Sequence, residues 1–366
     1  MSFRKTTKRI ILLLALAGSM AYYATRSYTT KAHLIPSPVN IPVAAIHQQH
    51  ANITRRAETA DLKSFKAKEP TLFVQREFEA GAEPKRMIFI GDIHGSVKEF
   101  NMLLEKAQFT PGADQVVLVG DLVAKGPESV AVVRRARQIN AWGTRGNHDD
   151  RVIRWREFLD GPAAGIPQET LKSMGSSDMP YDDFEVVEGA HYDIARKLSP
   201  KDYEYLASFP TIMALPDPFA LWVVVHGGLD ASKPIMSQNA EDVMITRNIG
   251  SSGPTKETDE GSAWFELWGE KMQGLTAPAG DSVQNDFTTV EYNKIIYGHD
   301  ASRALQIHDY TKGLDSRCVY GGELTAFILP GEEMVSVTCP NYDGKSSSND
   351  RRRRRGMYTA KQRIRR

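Results

Sequence analysis

The segment MIFIGDIHG, residues 87–95, is the clearest fold signal in the chain. Its four consecutive apolar residues, 87–90, predict a short strand that is buried on both faces. Glycines on either side of Asp92 and His94 let the backbone turn tightly where the strand ends. The segment therefore predicts a carboxylate and an imidazole delivered to the edge of a sheet.

Two predicted helices follow in alternation with apolar runs. Residues 97–106 and 129–138 have helical patterns, and the apolar run 116–119 lies between them. Strand and helix thus alternate in the order βαβα, which predicts an α/β fold.

Three more apolar runs end at residues of metal-ligand type. They are 116–119 before Asp121, 221–225 before His226 and 295–297 before His299. The motif GNHD, residues 146–149, adds an amide and an imidazole. Carboxylate, imidazole and amide oxygen together are the ligands of a two-metal hydrolytic site.

The motifs GDIHG, GDLVAKGPES, RGNHD, VHGG and YGHD occur in that order over about residues 86–326. They resemble the calcineurin-like metallophosphoesterases of the phosphoprotein-phosphatase superfamily. GDLVAKGPES and the segment GLDSRCVYGGELT, residues 313–325, resemble the diadenosine-tetraphosphatase (ApaH-like) branch. The resemblance implies an α/β (α+β) fold, a βαβαβ sandwich of central mixed sheets flanked by helices, with a dinuclear metal site at the strand ends.

The resemblance also assigns roles to individual residues. Asp92 and His94 would bind the first metal, and Asp121 would bridge the two metals. The remaining assignments are Asn147, His226 and His299 on the second metal, His148 as general acid, and Lys125 and Arg247 on phosphoryl oxygens. The donor types suit zinc, manganese or cobalt better than magnesium.

Two positions depart from the family pattern. Protein phosphatases of the superfamily have Asp and Arg where this chain has Ala124 and Lys125, so His148 lacks an orienting carboxylate and a guanidinium clamp becomes a point charge. The ApaH-like branch has glycine at Arg317. Arg317 either fills part of a nucleoside pocket or adds a cation for a longer phosphate chain, and we favour the second interpretation.

Among possible substrates we favour inorganic polyphosphate. ApaH-like proteins with an N-terminal membrane segment resemble the yeast-type vacuolar zinc-dependent endopolyphosphatase, which cuts polyphosphate internally. Hydrolysis of dinucleoside polyphosphate or capped RNA is the second hypothesis, and a protein Ser/Thr phosphatase the third. The non-enzyme alternative is a pseudo-phosphatase that binds polyanions through its tail. We predict no stable protein partner.

The residue patterns at the two ends of the chain predict an N-terminal targeting segment and a disordered C-terminal tail. Basic residues precede the apolar run 10–24, so residues 1–25 are predicted to be a signal anchor or a cleaved signal peptide. Either places the catalytic part in a lumen, the vacuole in our interpretation or another secretory compartment. We predict a stalk over 26–85, a metallophosphoesterase domain over 86–340 and a disordered basic tail over 341–366.

Charge is distributed unevenly between the body and the tail. The net charge is +1, but residues 351–366 carry nine Lys or Arg, so the remainder carries about −8. An acidic body is a poor general binder of nucleic acid, so a polyanionic substrate must meet a locally positive site such as metal ions.

Several other residues are expected to be structural. His191, His308, Trp264 and Trp268 carry no motif, and the two tryptophans have the spacing of a packed helix face. The two cysteines, Cys318 and Cys339, are either core thiols or one disulfide bridge. The segments 161–199 and 250–284 are predicted to be insertions that shape a pocket.

Overall fold

Two β-sheets packed face to face form the centre of the fold, and helices cover the outer face of each sheet. The computed structural model describes residues 62–78, 84–184, 189–276 and 292–344, which all belong to the unit Arg56–Arg366. The layered arrangement confirms the predicted sandwich of mixed sheets flanked by helices.

The described residues form fourteen strands and eight α-helices, with three short 3₁₀ helices at Leu62–Ser64, Ser176–Asp178 and Ile235–Ser237. The strands are β1 (Phe73–Gln75), β2 (Arg86–Ile90), β3 (Asp114–Leu118), β4 (Trp142–Gly143), β5 (Ile212–Ala214), β6 (Trp222–Val225), β7 (Asn248–Gly250), β8 (Gly253–Thr255), β9 (Ser262–Ala263), β10 (Lys294–Tyr297), β11 (Gln306–Ile307), β12 (Thr311–Gly313), β13 (Glu323–Leu329) and β14 (Glu333–Thr338). The helices are α1 (Val97–Lys106), α2 (Ser129–Gln138), α3 (Asn147–Asp160), α4 (Gln168–Ser173), α5 (Ala190–Lys197), α6 (Pro200–Ala207), α7 (Ala240–Ile245) and α8 (Trp264–Thr276).

The strands form three sheets. Sheet A has the order β1-β5-β6-β10-β12-β11, sheet B the order β14-β13-β2-β3-β4, and a small sheet C the order β8-β7-β9. In sheet B, β2, β3 and β4 run parallel to one another, and in sheet A, β6 and β10 run parallel. The carboxyl ends of neighbouring parallel strands therefore lie together at one edge of each sheet.

Alternation along β2 explains how one apolar run serves two cores. Met87 and Phe89 pack into the core between sheets A and B. Ile88 and Ile90 point to the other face and pack under the helices. All four are fully buried, as expected for a strand with both faces covered.

The helix predictions and strand predictions of the central motifs are confirmed. Helices α1 and α2 match the predicted ranges 97–106 and 129–138, and β2, β3, β6 and β10 occupy the predicted apolar runs to within two residues at each end. Trp264 and Trp268 are buried in the core between sheet A and α8, so their packed-face interpretation is also confirmed.

The predicted stalk over 26–85 is wrong for residues 62–78. Leu62 is buried in the core under the helices, and β1 pairs in parallel with β5 at the edge of sheet A. The backbone N–H groups of Thr211 and Ile212 donate to the carbonyls of Thr71 and Leu72. A short edge strand needs little apolar sequence of its own, because β5 supplies its hydrogen-bond partners. Since Leu62 and β1 belong to the folded domain, that domain begins before residue 86.

Cys318 and Cys339 form a buried disulfide, which decides between the two interpretations of the cysteines. The bridge joins the loop before β13 to the end of β14, the two strands of one hairpin.

The predicted N-terminal targeting segment 1–25 and the basic tail beyond residue 344 lie outside the described residues. None of the helices described is long and apolar enough to cross a bilayer.

Candidate active site

The two parallel strand groups deliver the predicted ligands to one place. Asp92 and His94 follow β2, and Asp121 follows β3 in the same sheet. His226 follows β6 and His299 follows β10 in the facing sheet. The site therefore forms where the carboxyl ends of parallel strands from both sheets meet.

Potential metal ligands lie in two groups that share one residue. His94, Asp121 and His148 form the first group, and Asp121, His226 and His299 form the second. Within each group the donor atoms lie within 4.8 Å of one another. Asp121 thus occupies the position expected of a ligand that bridges two metals.

Each of three histidines hydrogen-bonds a backbone carbonyl with one ring nitrogen. His94 Nδ1 lies 3.0 Å from the Val123 oxygen, and His226 Nδ1 lies 2.8 Å from the Val119 oxygen. His299 Nε2 lies 3.0 Å from the oxygen of Ile245. Anchoring one nitrogen fixes the ring and leaves the other nitrogen as a lone-pair donor, the usual arrangement of metal-ligating imidazoles.

Asp92 and Asn147 complete the cluster. The Asp92 carboxylate lies 3.9 Å from His94 Nε2, and the Asn147 side-chain oxygen lies 3.2 Å from His226 Nε2. The backbone N–H of His148, in the first turn of α3, donates to Asp121 Oδ1 at 3.0 Å. The structure therefore brings together all six predicted metal ligands and His148.

The backbone of the cluster is strained in a way typical of functional sites. His94, Asp121 and His299 all have positive φ, at 45°, 53° and 67°. Left-handed backbone is uncommon for residues other than glycine and persists where surrounding structure enforces it. A Cβ atom at Gly146 would overlap the Asp121 carboxylate, so glycine is required for this close approach.

Comparison with known proteins identifies the family. The family model of calcineurin-like phosphoesterases matches residues 85–303. The chain belongs to the calcineurin-like phosphoesterase family. It is accordingly a metal-dependent phosphoesterase, and its site offers the ligands for two divalent metal ions.

Two relatives of this phosphoesterase are named as enzymes that hydrolyse nucleoside tetraphosphates or polyphosphate. The chain is 26% identical over 262 residues to an asymmetrical bis(5′-nucleosyl)-tetraphosphatase of Halalkalibacterium halodurans, covering 68% of this chain and 92% of that protein. It is 25% identical over 301 residues to the zinc-dependent endopolyphosphatase of Saccharomyces cerevisiae, covering 74% and 86%. A solved structure of a candidate diadenosine tetraphosphatase is 29% identical, with a TM-score of 0.54, and the match covers 74% of this chain and 99% of that chain.

Buried carboxylates give the phosphoesterase site the charge that cations need. Burial raises the pKa of Asp92 well above its usual value, and the nearby carboxylates of Asp315 and Asp121 add to the effect. Burial also raises the pKa of Asp149 to about 7, with Asp121 adding to the shift. Such a concentration of acidic groups is stabilised by bound divalent cations, so the donor set fits two metals.

Asp121 and His226 form a buried ion pair. Burial lowers the pKa of His226, but the Asp121 charge and hydrogen bond outweigh that and raise it to about 9. Burial likewise opposes ionisation of Asp121, yet His226 and His148 hold the pKa of Asp121 well below its usual value. Asp121 is therefore ionised, and a divalent cation bound between these groups would take the place of the His226 proton.

Two of the three predicted substrate-binding cations lie beside the cluster. Lys125 Nζ is 3.0 Å from His94 Nε2 and 5.5 Å from the centre of the Tyr320 ring. Arg247 donates to the carbonyl oxygens of His299 at 3.1 Å and Lys256 at 2.9 Å.

Arg317, the third predicted cation, is placed by its backbone rather than by its side chain. It has a φ of 67°, and its backbone N–H donates to the Asp315 carboxylate at 3.0 Å. Within the described ranges its guanidinium makes no hydrogen bond or ion pair. The left-handed backbone explains why glycine suits this position in the branch.

Sequence reasoning did not place His191, which we expected to be structural, beside the cluster. His191, on α5, is buried, and its Nε2 lies 2.8 Å from His148 Nδ1. Asp149 was also missed: its carboxylate accepts the backbone N–H groups of Leu122 at 3.0 Å and Gly146 at 3.1 Å. The GNHD motif gave a signal for Asp149, whereas His191 lies in a segment without any motif.

Proposed function

We propose that this phosphoesterase is an endopolyphosphatase that hydrolyses phosphoanhydride bonds within inorganic polyphosphate. Asp92 and His94 would hold one metal, Asn147, His226 and His299 the other, and Asp121 both. When bound, the two divalent cations lower the pKa of a water molecule and neutralise charge on the phosphoryl group.

The chain's own residues supply orientation and a proton. Lys125 and Arg247 would hold phosphoryl oxygens on either side of the scissile bond, which fixes the phosphorus for in-line attack. His148 would transfer its Nε2 proton to the leaving oxygen. Burial lowers the pKa of His148 well below its usual value, which makes the protonated ring a stronger acid. The products are two shorter phosphate chains, and no phosphoenzyme is formed.

The position of the two cations is the observation that carries the proposal. Lys125 lies against His94, in the first ligand group, whereas Arg247 lies against His299, in the second. The cations thus flank the cluster at both ends. A linear polyanion cut internally continues past the scissile bond in both directions, so it meets a cation on each side.

Hydrolysis of dinucleoside polyphosphates is the second candidate, and Tyr320 favours it. The half-buried Tyr320 ring lies under Lys125, where an aromatic face could stack on a base. The nucleosyl-tetraphosphatase relatives agree with this alternative.

We also propose that the domain works in the lumen of the vacuole or another secretory compartment, attached through residues 1–25. The Cys318–Cys339 disulfide supports this, because structural disulfides persist in oxidising compartments and are rare in the cytosol. Protease added outside intact organelles should spare the domain; ready digestion would place the domain in the cytosol.

A substrate panel tests the proposed function. Purified protein loaded with zinc, manganese, cobalt or magnesium would be given long-chain polyphosphate, diadenosine tetraphosphate, capped RNA and a phosphopeptide. We expect the highest kcat/KM on polyphosphate, with chains of intermediate length on a gel before free phosphate accumulates. Faster turnover of the nucleotide, or release of phosphate from chain ends alone, would contradict it. A chelator should abolish all activity.

A further inference from the structure

The histidine pair His148 and His191 joins two helices at the edge of the metal cluster. His148 is the second residue of α3, and His191 is the second residue of α5. Their facing nitrogens, Nδ1 of His148 and Nε2 of His191, are 2.8 Å apart, and the ring planes differ by 9°. We propose that His191 is a positioning residue, whose Nε2 shares a hydrogen bond with His148 Nδ1 and so aims His148 Nε2 at the leaving oxygen. The inference rests on the proposed role of His148 as general acid.

The hydrogen bond fixes the direction of the His148 ring. Nδ1 and Nε2 lie on different sides of an imidazole ring, so a partner held at Nδ1 determines where Nε2 points. The backbone of His148 is also anchored, because its N–H donates to Asp121 Oδ1 at 3.0 Å. The direction of His148 Nε2 is therefore set by the position of His191.

The ring of His191 is paired through one nitrogen. Its Nδ1 is buried and makes no hydrogen bond among the described residues, so Nε2 is the nitrogen that is paired. The residue itself is buried. Because buried polar side chains are held by their hydrogen-bond partners, His148 and His191 fix each other's orientation.

Packing holds His191 in place. Its neighbour Tyr192 packs edge-on against Trp155 of α3 with ring centres 5.2 Å apart, and both rings are buried. The contact fixes α5 against α3 one side chain away from the histidine pair. A rigid support of this kind is what a hydrogen bond needs to orient a catalytic group.

The pair also compensates for an orienting carboxylate that is missing from the loop after β3. The family resemblance places an orienting carboxylate where this chain has Ala124, which is buried and whose backbone N–H donates to Ser129. No acidic side chain can approach His148 from that position. His191 provides a substitute hydrogen-bond partner from a different part of the chain.

The test uses the leaving group. A misaligned general acid slows reactions whose leaving oxygen needs a proton, and hardly affects those whose leaving group departs as a stable anion. We expect His191→Leu to lower kcat on phenyl phosphate about 10- to 100-fold, but kcat on p-nitrophenyl phosphate less than about threefold. KM and bound metal should stay unchanged. An equal loss on both substrates would overturn the proposal.

Conservative variants separate positioning from packing. His191→Gln places an oxygen near the position of Nε2 and should restore at least about half of the lost activity, whereas His191→Asn is too short to reach His148. His191→Leu should have no further effect in a His148→Ala background, because the two residues act as a unit. Independent, multiplying losses in that background would count against the pair.

His308 provides the matched control. It is also a histidine stacked on an aromatic ring, with its centre 4.9 Å from that of Phe265, and it makes no described contact with the cluster. His308→Leu should leave both aryl phosphate activities unchanged. The aryl phosphates report on His191 even if polyphosphate is not the substrate, so failure of the polyphosphate panel and failure of this inference are distinguishable.

Discussion

The backbone N–H of His299 lies 3.1 and 3.2 Å from the two carboxylate oxygens of Asp92, a residue 207 positions earlier in the chain. This hydrogen bond joins the end of β10 in sheet A to the end of β2 in sheet B. Two proposed ligands of different metals are thereby held by each other as well as by their own strands. The relative position of the two sheets consequently sets the spacing of the metal site.

Gly298 is required for that contact, and a single methyl group should break it. A Cβ at Gly298 would overlap the Asp92 carboxylate and approach Val119 Cγ2 to 2.8 Å. We expect Gly298→Ala to displace Asp92, to lower bound metal and to reduce kcat by more than about tenfold. Metal content by mass spectrometry and turnover of p-nitrophenyl phosphate would measure both.

Gly269 serves as the control for this substitution. It lies within α8, and a Cβ there meets no atom within 4 Å. Gly269→Ala should retain full activity and raise the free energy of unfolding by about 0.5 to 1 kcal/mol, because alanine favours the helix. Equal activity of the two alanine variants would mean that the Asp92 position is not critical.

Asp121 carries the strongest prediction for the metal site. Asp121→Asn removes the negative charge shared by both ligand groups, so we expect loss of metal and a fall in kcat/KM of more than about a hundredfold. Asp160→Asn, at an exposed carboxylate paired with Arg156, is the control and should be neutral. Activity of Asp121→Asn within about threefold of wild type would refute the two-metal assignment.

Much of the site was predictable because its signals are local in sequence. Asp92, Asp121, His226 and His299 each come directly after an apolar run, and strands of a parallel sheet end at a common edge. The order of the motifs along the chain indicated the remaining residues of the site. Assigning ligands to their motifs required no knowledge of how the sheets pack.

What escaped prediction depends on contacts between distant segments. His191 reaches His148 only because α5 packs on α3, and the sequence around it contains no strand end or glycine turn. β1 is three residues long and exists through pairing with β5, so its own pattern was too short to detect. The Cys318–Cys339 pairing depends on the hairpin of β13 and β14, which the spacing of two cysteines does not reveal.

The disulfide should contribute measurably to stability. It closes a loop with a sequence separation of 21, for which chain entropy predicts about 3 kcal/mol. We expect a reducing agent, or the double variant Cys318→Ala and Cys339→Ala, to lower Tm by about 5 to 10 °C. The reductant should not affect the double variant further. Unchanged Tm on verified reduction would show that the hairpin holds without the bridge.

Arg317 separates the two phosphoanhydride hypotheses. If its guanidinium contacts the distal part of a polyphosphate chain, Arg317→Gly should lower polyphosphate turnover while sparing diadenosine tetraphosphate hydrolysis. A lost charge-assisted contact costs about 1.5 to 3 kcal/mol when desolvated, so the ratio of the two kcat/KM values should shift about tenfold toward the nucleotide. Gel analysis of chain length alongside nucleotide release would measure the ratio.

The same substitution should leave the fold intact, which makes its result interpretable. Arg317 has a φ of 67°, a conformation that glycine adopts without strain, so relief of strain offsets the added freedom of the unfolded chain. We therefore expect the free energy of unfolding to change by less than about 1 kcal/mol. Arg317→Lys keeps the positive charge and should keep most polyphosphate turnover. If both activities fall together, or neither changes, Arg317 does not select the substrate.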